Sequence, residues 1–159
     1  MISNPIADTN LLLEGGFAIL FPIGIFLTVL GIIYFISGWK ELSQNYPFLS
    51  GSKPTKIYAW KSAKISLVNF NNCINFGITS FGLYIKPIKI FTFGFMKPIL
   101  IPWNQITWKK RTSLGFSIME ITPQQTPNKK ITISQKVYDL MKDDIETYNK
   151  SQKTTPDVF

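Results

Sequence analysis

The sequence contains no histidine and only one cysteine, Cys73. Without histidine, the commonest general base and the commonest metal-ligating side chain are both missing. A single cysteine can form no intramolecular disulfide, and it cannot build a thiolate metal site by itself. A Ser-His-Asp hydrolase is therefore excluded, and the sequence predicts neither a metal nor any other cofactor.

Other catalytic signatures are also missing from the chain. Neither a G-x-x-x-x-G-K-[ST] nor a G-x-G-x-x-G phosphate loop occurs, and G-x-S-x-G is absent. Glu41 and Glu120 are isolated in the sequence, so we interpret them as surface residues rather than as a catalytic carboxylate pair. Cys73 lies in an alternating apolar stretch, which favours a small buried hydrophobe over a nucleophile. We predict that the protein is not an enzyme and has no catalytic residues.

Charged residues are scarce, at 16% of the chain against roughly 25% in an ordinary soluble domain. No charge occurs between Glu14 and Lys40, where residues 17–38 read FAILFPIGIFLTVLGIIYFISG. About 20 apolar residues suffice to cross a bilayer, and a single span must be helical to satisfy its backbone. We predict a transmembrane helix over 17–38. A cleaved signal peptide is the competing interpretation, but it requires a basic start and a small-residue cleavage site, which are missing here.

Basic residues are absent from the amino-terminal part, since all 17 Lys and Arg follow Gly38. Such residues resist translocation, so the asymmetry predicts a short extracytoplasmic N-terminus, 1–16, and a cytoplasmic C-terminal domain. The expected location is the inner membrane of a bacterium, as a single-pass protein. Tyr34, Phe35 and Trp39 are expected to form an aromatic belt at the cytoplasmic interface.

Small residues recur along the predicted span at spacings that bring them to one helix face. Such a face lets another helix approach closely, which would allow the protein to dock as a structural subunit of a larger membrane complex. The alternative is that glycine is simply common in membrane helices. The candidate packing residues are Gly24, Thr28, Gly31 and Gly38.

After the span, we predict a juxtamembrane helix and linker over 39–55, a β-rich domain over 56–150 and a flexible tail over 151–159. The domain is rich in β-branched and aromatic residues with frequent alternation, which indicates strands. The expected strands are Ala63–Phe70, Cys73–Thr79, Leu83–Lys86, Ile88–Phe93, Ile99–Ile101, Gln105–Lys110, Phe116–Thr122 and Lys130–Ile133, with a turn at Asn71-Asn72.

A closing amphipathic helix is predicted after Ser134, a suitable N-cap. Its apolar residues, Val137, Leu140, Met141, Ile145 and Tyr148, fall at helical spacings. The acids of this helix are expected to form a solvated face rather than a carboxylate site. They are Asp139, Asp143, Asp144 and Glu146.

About seven antiparallel strands and a closing helix, with Gly82-Leu83-Tyr84 opening a strand and ILIPWNQI at Ile99–Ile106, resemble a PH-like (GRAM-like) barrel. More narrowly, Gly38-Trp39, Tyr46-Pro47 and Cys73-Ile74, together with Ile101-Pro102-Trp103, are similar to an uncharacterised family of small bacterial membrane-anchored proteins. The resemblance implies a single N-terminal transmembrane helix followed by an antiparallel barrel closed by a C-terminal α-helix. Trp103 is expected to fill the barrel core, the alternative being a ring that stacks on a ligand.

The formal charge of +8 raises the question of an acidic partner. Positive-inside topology explains this charge, and no nucleic-acid motif surrounds the basic residues, so no nucleic acid is expected as a partner. Contact with the anionic lipid bilayer is one prediction, and ordinary solvated lysines are the alternative. The candidate lipid contacts are Trp60, Lys61, Lys64, Trp108, Lys109, Lys110 and Arg111. The predicted function is a non-enzymatic interaction module that binds a protein partner or its own copy, and anionic lipid.

Overall fold

The computed structural model describes residues 5–48, 51–92, 94–113 and 115–153, and the side chains of 18–48, 51–89, 92, 94–113 and 115–148 within them. The chain divides into two compact units, with the boundary between Ile33 and Tyr34. Residues 154–159 of the predicted tail, residues 49 and 50 of the predicted linker and Phe93 lie outside the described residues.

Most of helix α1, which runs from Pro5 to Ile36, belongs to the first unit. Its segment Ala18–Ile36 is long and apolar enough to cross a membrane, and none of it is buried within the protein. A helix that is apolar on all sides is suited either to a protein core or to lipid. None of this segment is packed in a core, so its composition favours lipid. The predicted apolar helix is therefore present as a candidate span.

Gly38 lies between α1 and the short helix α2, Trp39–Asn45. Its backbone is left-handed, with a φ of 69°, which glycine adopts without strain. The sequence prediction placed Gly38 on the packing face of the span. That placement is wrong, because α1 ends at Ile36.

Helix α2 is built into the core of the second unit. Trp39 and Leu42 are fully buried, and Tyr46 just after the helix is nearly so. The Trp39 indole N–H donates a hydrogen bond to the carbonyl of Lys97 at 2.9 Å. The structure therefore places Trp39 in a protein core, where the sequence had suggested a membrane-interface belt.

Within the described residues, seven antiparallel strands form one curled sheet, a half-barrel, in the order β4-β3-β2-β1-β7-β6-β5. The expected antiparallel sheet with a closing helix is thereby confirmed. The strands are β1 Lys56–Ile65, β2 Val68–Ile78, β3 Gly82–Pro87, β4 Ile99–Pro102, β5 Ile106–Ser113, β6 Phe116–Pro123 and β7 Ile131–Ser134.

Three details of the strand prediction are wrong. The first strand begins at Lys56 and turns at Ser66 and Leu67, inside the stretch predicted as one strand. Asn72 lies within β2 with a positive φ of 52°, so the predicted turn is a local irregularity of the strand. The predicted strand Ile88–Phe93 contains a four-residue helix, α3, Lys89–Thr92.

Helix α4, Gln135–Lys153, closes the domain. The backbone N–H of Val137 donates to the Ser134 hydroxyl at 3.3 Å, which confirms the predicted N-cap. Val137, Met141 and Ile145 are buried against the sheet. The helix runs three residues beyond the predicted end of the domain at 150.

Trp103 lies in a three-residue 3-10 helix, Trp103–Gln105, directly after β4. Its side chain is 4% exposed, and its indole N–H donates to the carbonyl of Thr79 at 3.0 Å. Core packing, the favoured interpretation of this residue, is confirmed.

Candidate functional site

The basic cluster on β5 is divided between the two faces of the sheet. Trp108 pairs with Ile121 of β6, which is fully buried, whereas Lys109 pairs with Glu120. Successive side chains of a strand point to opposite faces, so Lys109 and Arg111 share one face while Trp108 and Lys110 share the other. The four neighbours in sequence therefore do not form one surface.

Trp108 faces α4. Its ring centroid lies 5.4 Å from that of Tyr138, at an interplanar angle of 57°. This tilted contact joins the edge of the sheet to the closing helix, because aromatic pairs prefer such inclined geometries. Packing between β5 and α4 therefore accounts for Trp108, and lipid contact is not needed to explain it.

The opposite sheet face, which we call the outer face, gathers cations from several strands. Lys64 of β1 pairs with Thr132 of β7, Thr132 pairs with Glu120 of β6, and Glu120 pairs with Lys109 of β5. Residues directly opposite in antiparallel strands lie on the same face. Lys64 and Lys109 therefore point from the same side of the sheet.

Glu120 lies at the centre of this row and is only 8% exposed. One of its carboxylate oxygens lies 3.1 Å from Lys130 Nζ and 3.4 Å from Arg111 Nη2. A carboxylate is rarely buried unless it is paired, and the two cations supply that pairing. The prediction that Glu120 is a surface residue is therefore wrong.

A groove of about 470 Å³ runs over the outer face. Phe116, at the start of β6, lies at its rim and is 75% exposed. Within the described residues, the exposed side chains of Lys64 and Lys109 have no hydrogen-bond or ion-pair partner, so both charges remain available to an external anion. The groove is lined by Lys64, Ser66, Ser113, Phe116, Ile118, Glu120, Lys130 and Thr132.

Trp60 and Lys61 lie at an irregularity in the pairing of β1 with β2. Trp60 has a positive φ of 55° and is 59% exposed, and its backbone N–H donates to Asn75 Oδ1 at 3.0 Å. Lys61 pairs with the fully buried Ile74 and so shares the core side of the sheet rather than the outer face. Of the seven candidate lipid contacts, the structure places Lys64, Lys109 and Arg111 together and adds Lys130.

Asp144 of α4 belongs to a polar cluster with two residues of β1. Lys56 Nζ lies 2.9 Å from its carboxylate, and the Tyr58 hydroxyl donates to the same oxygen. The hydrogen bonds from Tyr58 and Lys56 lower the pKa of Asp144, while hydrogen bonding to Tyr58 and then to Asp144 raises the pKa of Lys56. Asp144 therefore links α4 to the sheet, while its side chain remains 30% exposed and so stays partly solvated, as predicted.

Cys73 lies within β2, as predicted, and is half-buried. Its thiol contacts the carbonyl of Asn71 at 2.9 Å, and burial raises its pKa. A raised pKa keeps the thiol protonated and weakly nucleophilic. Across the described parts of the chain, no group of three or more His, Cys, Asp or Glu residues could hold a metal ion.

The candidate packing face of α1 carries a shallow apolar groove of about 520 Å³. The Thr28 hydroxyl donates to the carbonyl of Gly24 at 2.8 Å, so its polarity is satisfied within the helix. A Cβ added at Gly24 or Gly31 would meet nothing within 4 Å. Of the four predicted packing residues, Gly24, Thr28 and Gly31 lie on α1. The groove is lined by Leu20, Phe21, Gly24, Ile25, Thr28 and Val29.

Comparison of the chain with protein-family models, with curated proteins and with solved structures finds no match. The chemistry of the outer face and of α1 is therefore the basis on which a function can be proposed.

Proposed function

We propose that this protein is a non-enzymatic interaction module, held by α1 in the inner membrane of a bacterium with its sheet domain in the cytoplasm. There the domain binds a protein partner, and its outer face contacts anionic lipid. The observation that carries the proposal is the gathering of four cations onto one face: Lys64 from β1, Lys109 and Arg111 from β5, and Lys130 from the residue just before β7.

The length of chain between span and domain supports contact with lipid. Only two residues separate the end of α1 at Ile36 from Trp39, the first buried residue of α2. Such a segment spans at most about 11 Å, at 3.8 Å per residue step. A domain tethered this closely experiences a high effective concentration of headgroups, so weak contacts become significant.

The charge of the outer face is sufficient for such weak contacts. A basic residue near an anionic membrane surface contributes about 1 kcal/mol. Glu120 offsets one of the four cations, which leaves a net attraction of about 3 kcal/mol. The exposed Phe116 ring adds an apolar group at the rim of the same groove.

The strand order is consistent with the PH-like assignment suggested by the sequence. Two strand groups, β1 to β4 and β5 to β7, join through the pairing of β1 with β7, and a helix follows the last strand. A fold of this kind hosts many functions, so it supports an interaction role by analogy only.

Loss of the two unpaired outer-face cations tests the lipid contact. The full-length protein is placed in nanodiscs of zwitterionic lipid and of mixed zwitterionic and anionic lipid, and amide hydrogen exchange is followed in β6 and β7. We expect slower exchange in the anionic discs, and we expect K64Q/K109Q to abolish the difference because it removes two charges that face the headgroups.

The matched control is K110Q/K136Q, which removes the same charge from positions off the outer face: the other face of β5 and the exposed side of α4. It should keep the dependence on anionic lipid. Equal exchange rates in both kinds of disc, or an equal effect of the two double variants, would contradict contact through the outer face.

The groove of α1 favours a second candidate, a structural subunit that docks its span against another membrane helix. Small residues at Gly24, Thr28 and Gly31 permit close approach. Leucine at Gly24 and Gly31 should then remove co-purifying membrane proteins, whereas leucine at Ile23 and Ile32, which are already large, should retain them. Unchanged co-purification in both variants argues that the helix is only a tether.

A further inference from the structure

The two edge strands of the sheet differ in whether another segment of the chain covers them. The edge at β4 is covered by the segment that follows α2: the Leu100 N–H donates to the carbonyl of Tyr46 at 3.1 Å, and Pro47 forms a bridge with Ile99. Strand β5, at the other edge, pairs only with β6 among the described strands. In the part of the chain that the structure describes, one edge is therefore covered by this chain and the other is open.

The open edge is long enough to accept another strand. Strand β5 has eight residues, and those from Lys109 to Ser113 are all exposed. In an edge strand, alternate residues direct their N–H and C=O groups away from the sheet, where they can pair with an added chain. A segment laid along β5 would complete these bonds and become an eighth strand.

The charges on β5 decide which segment fits. Lys109 and Arg111 point to the outer face and Lys110 to the other, so an added strand meets cations on both sides. Like charges directly opposite one another are destabilising, which disfavours pairing of β5 with β5 of a second copy. Opposite charges at cross-strand positions are stabilising, by about 0.2–1 kcal/mol per pair.

We propose that the free edge of β5 binds an extended acidic segment of a partner protein as an eighth strand. This inference rests on the proposed function as an interaction module, and it names the surface and the chemistry of the partner. The only dense group of acids in this chain, Asp139, Asp143, Asp144 and Glu146, belongs to helix α4 and so cannot supply an extended segment. The segment therefore comes from another protein.

Two labelled octapeptides with equal charge test this directly on the full-length protein in zwitterionic nanodiscs. One alternates Glu with Thr and can pair as a strand. The other is the same peptide methylated at every backbone nitrogen, so it carries the same charge but has no backbone N–H donor in either register. We expect the Glu-Thr peptide to bind at least about tenfold more tightly, since each added backbone hydrogen bond contributes about 0.5–1.5 kcal/mol. It should also slow amide exchange in β5.

Changing the charge of β5 provides a second test of the same proposal. K109Q/K110E changes exposed side chains, puts no second carboxylate opposite Glu120 and leaves the Arg111–Glu120 pair intact, so the domain should remain folded. We expect this variant to lose the Glu-Thr peptide and to bind a Lys-Thr octapeptide instead.

Equal binding of the Glu-Thr peptide and its N-methylated form would show attraction by charge alone and would overturn the proposal, as would binding of neither peptide. The exchange difference between anionic and zwitterionic nanodiscs is measured without peptide, so failure of the edge proposal and failure of lipid contact are seen separately.

Discussion

Replacing Trp39 with alanine is expected to destabilise the sheet domain by about 3–5 kcal/mol, the usual cost of removing a large buried aromatic side chain. The indole is fully buried and donates to the Lys97 carbonyl, so the variant loses both packing and a hydrogen bond. Denaturant unfolding of the full-length protein in mild detergent, followed by near-ultraviolet circular dichroism, measures the change.

Trp60 provides a matched control, because it is the same residue type at 59% exposure. Trp60→Ala should change the free energy of unfolding by only about 0.5 kcal/mol. If Trp39→Ala were as mild as Trp60→Ala, helix α2 would be a loose linker and its burial in the domain would be refuted.

Replacing Gly82 with alanine is expected to cost about 4 kcal/mol or more, within the range that only a defined structural fault produces. An added Cβ would lie 2.1 Å from the backbone oxygen of Ile101 in the neighbouring strand β4. Backbone atoms of a paired strand cannot move aside as a flexible side chain can, so β3 and β4 must separate. Thermal unfolding of the full-length protein should show a large fall in Tm.

Gly51 is the control for this substitution, since a Cβ added there meets nothing within 4 Å. Gly51→Ala should leave Tm nearly unchanged. A small effect of Gly82→Ala would mean that β3 and β4 are not paired at Gly82 and Pro102 as described.

The elements with a clear period could be predicted from the sequence. Ile74, Phe76 and Ile78 alternate with less apolar residues and form the buried side of β2, and Val137, Met141 and Ile145 recur at helical spacing and form the buried face of α4. Local periodicity is sufficient in these cases because each element has one face against the core.

The short apolar run at Ile88–Phe93 shows where that signal fails. A run of this length fits a buried strand or a turn of helix equally well, and periodicity alone does not separate them. Here β3 ends at Pro87, and a single helical turn follows. Turn geometry and packing by distant residues decided the outcome.

The candidate site could be predicted only in part, because its members meet through strand pairing. Lys109 and Arg111 are close in sequence, but Lys64 and Lys130 join them only once β1, β7 and β6 are aligned. Glu120 was misplaced for the same reason: its two cationic partners are nine and ten residues away in the sequence. Alternation along β5, visible in the sequence, could have separated Trp108 from the lipid surface.

The most direct test of the account is labelling at Ser80, an exposed residue between β2 and β3, replaced by cysteine in a Cys73→Ala chain. Bacterial cells that express this full-length protein are treated with a membrane-impermeant maleimide before and after lysis, and the membrane fraction is examined. An anchor at α1 with a cytoplasmic domain predicts labelling only after lysis, on protein that resists extraction from the membrane by carbonate. Labelling in intact cells, or recovery of the protein in the soluble fraction, would contradict it.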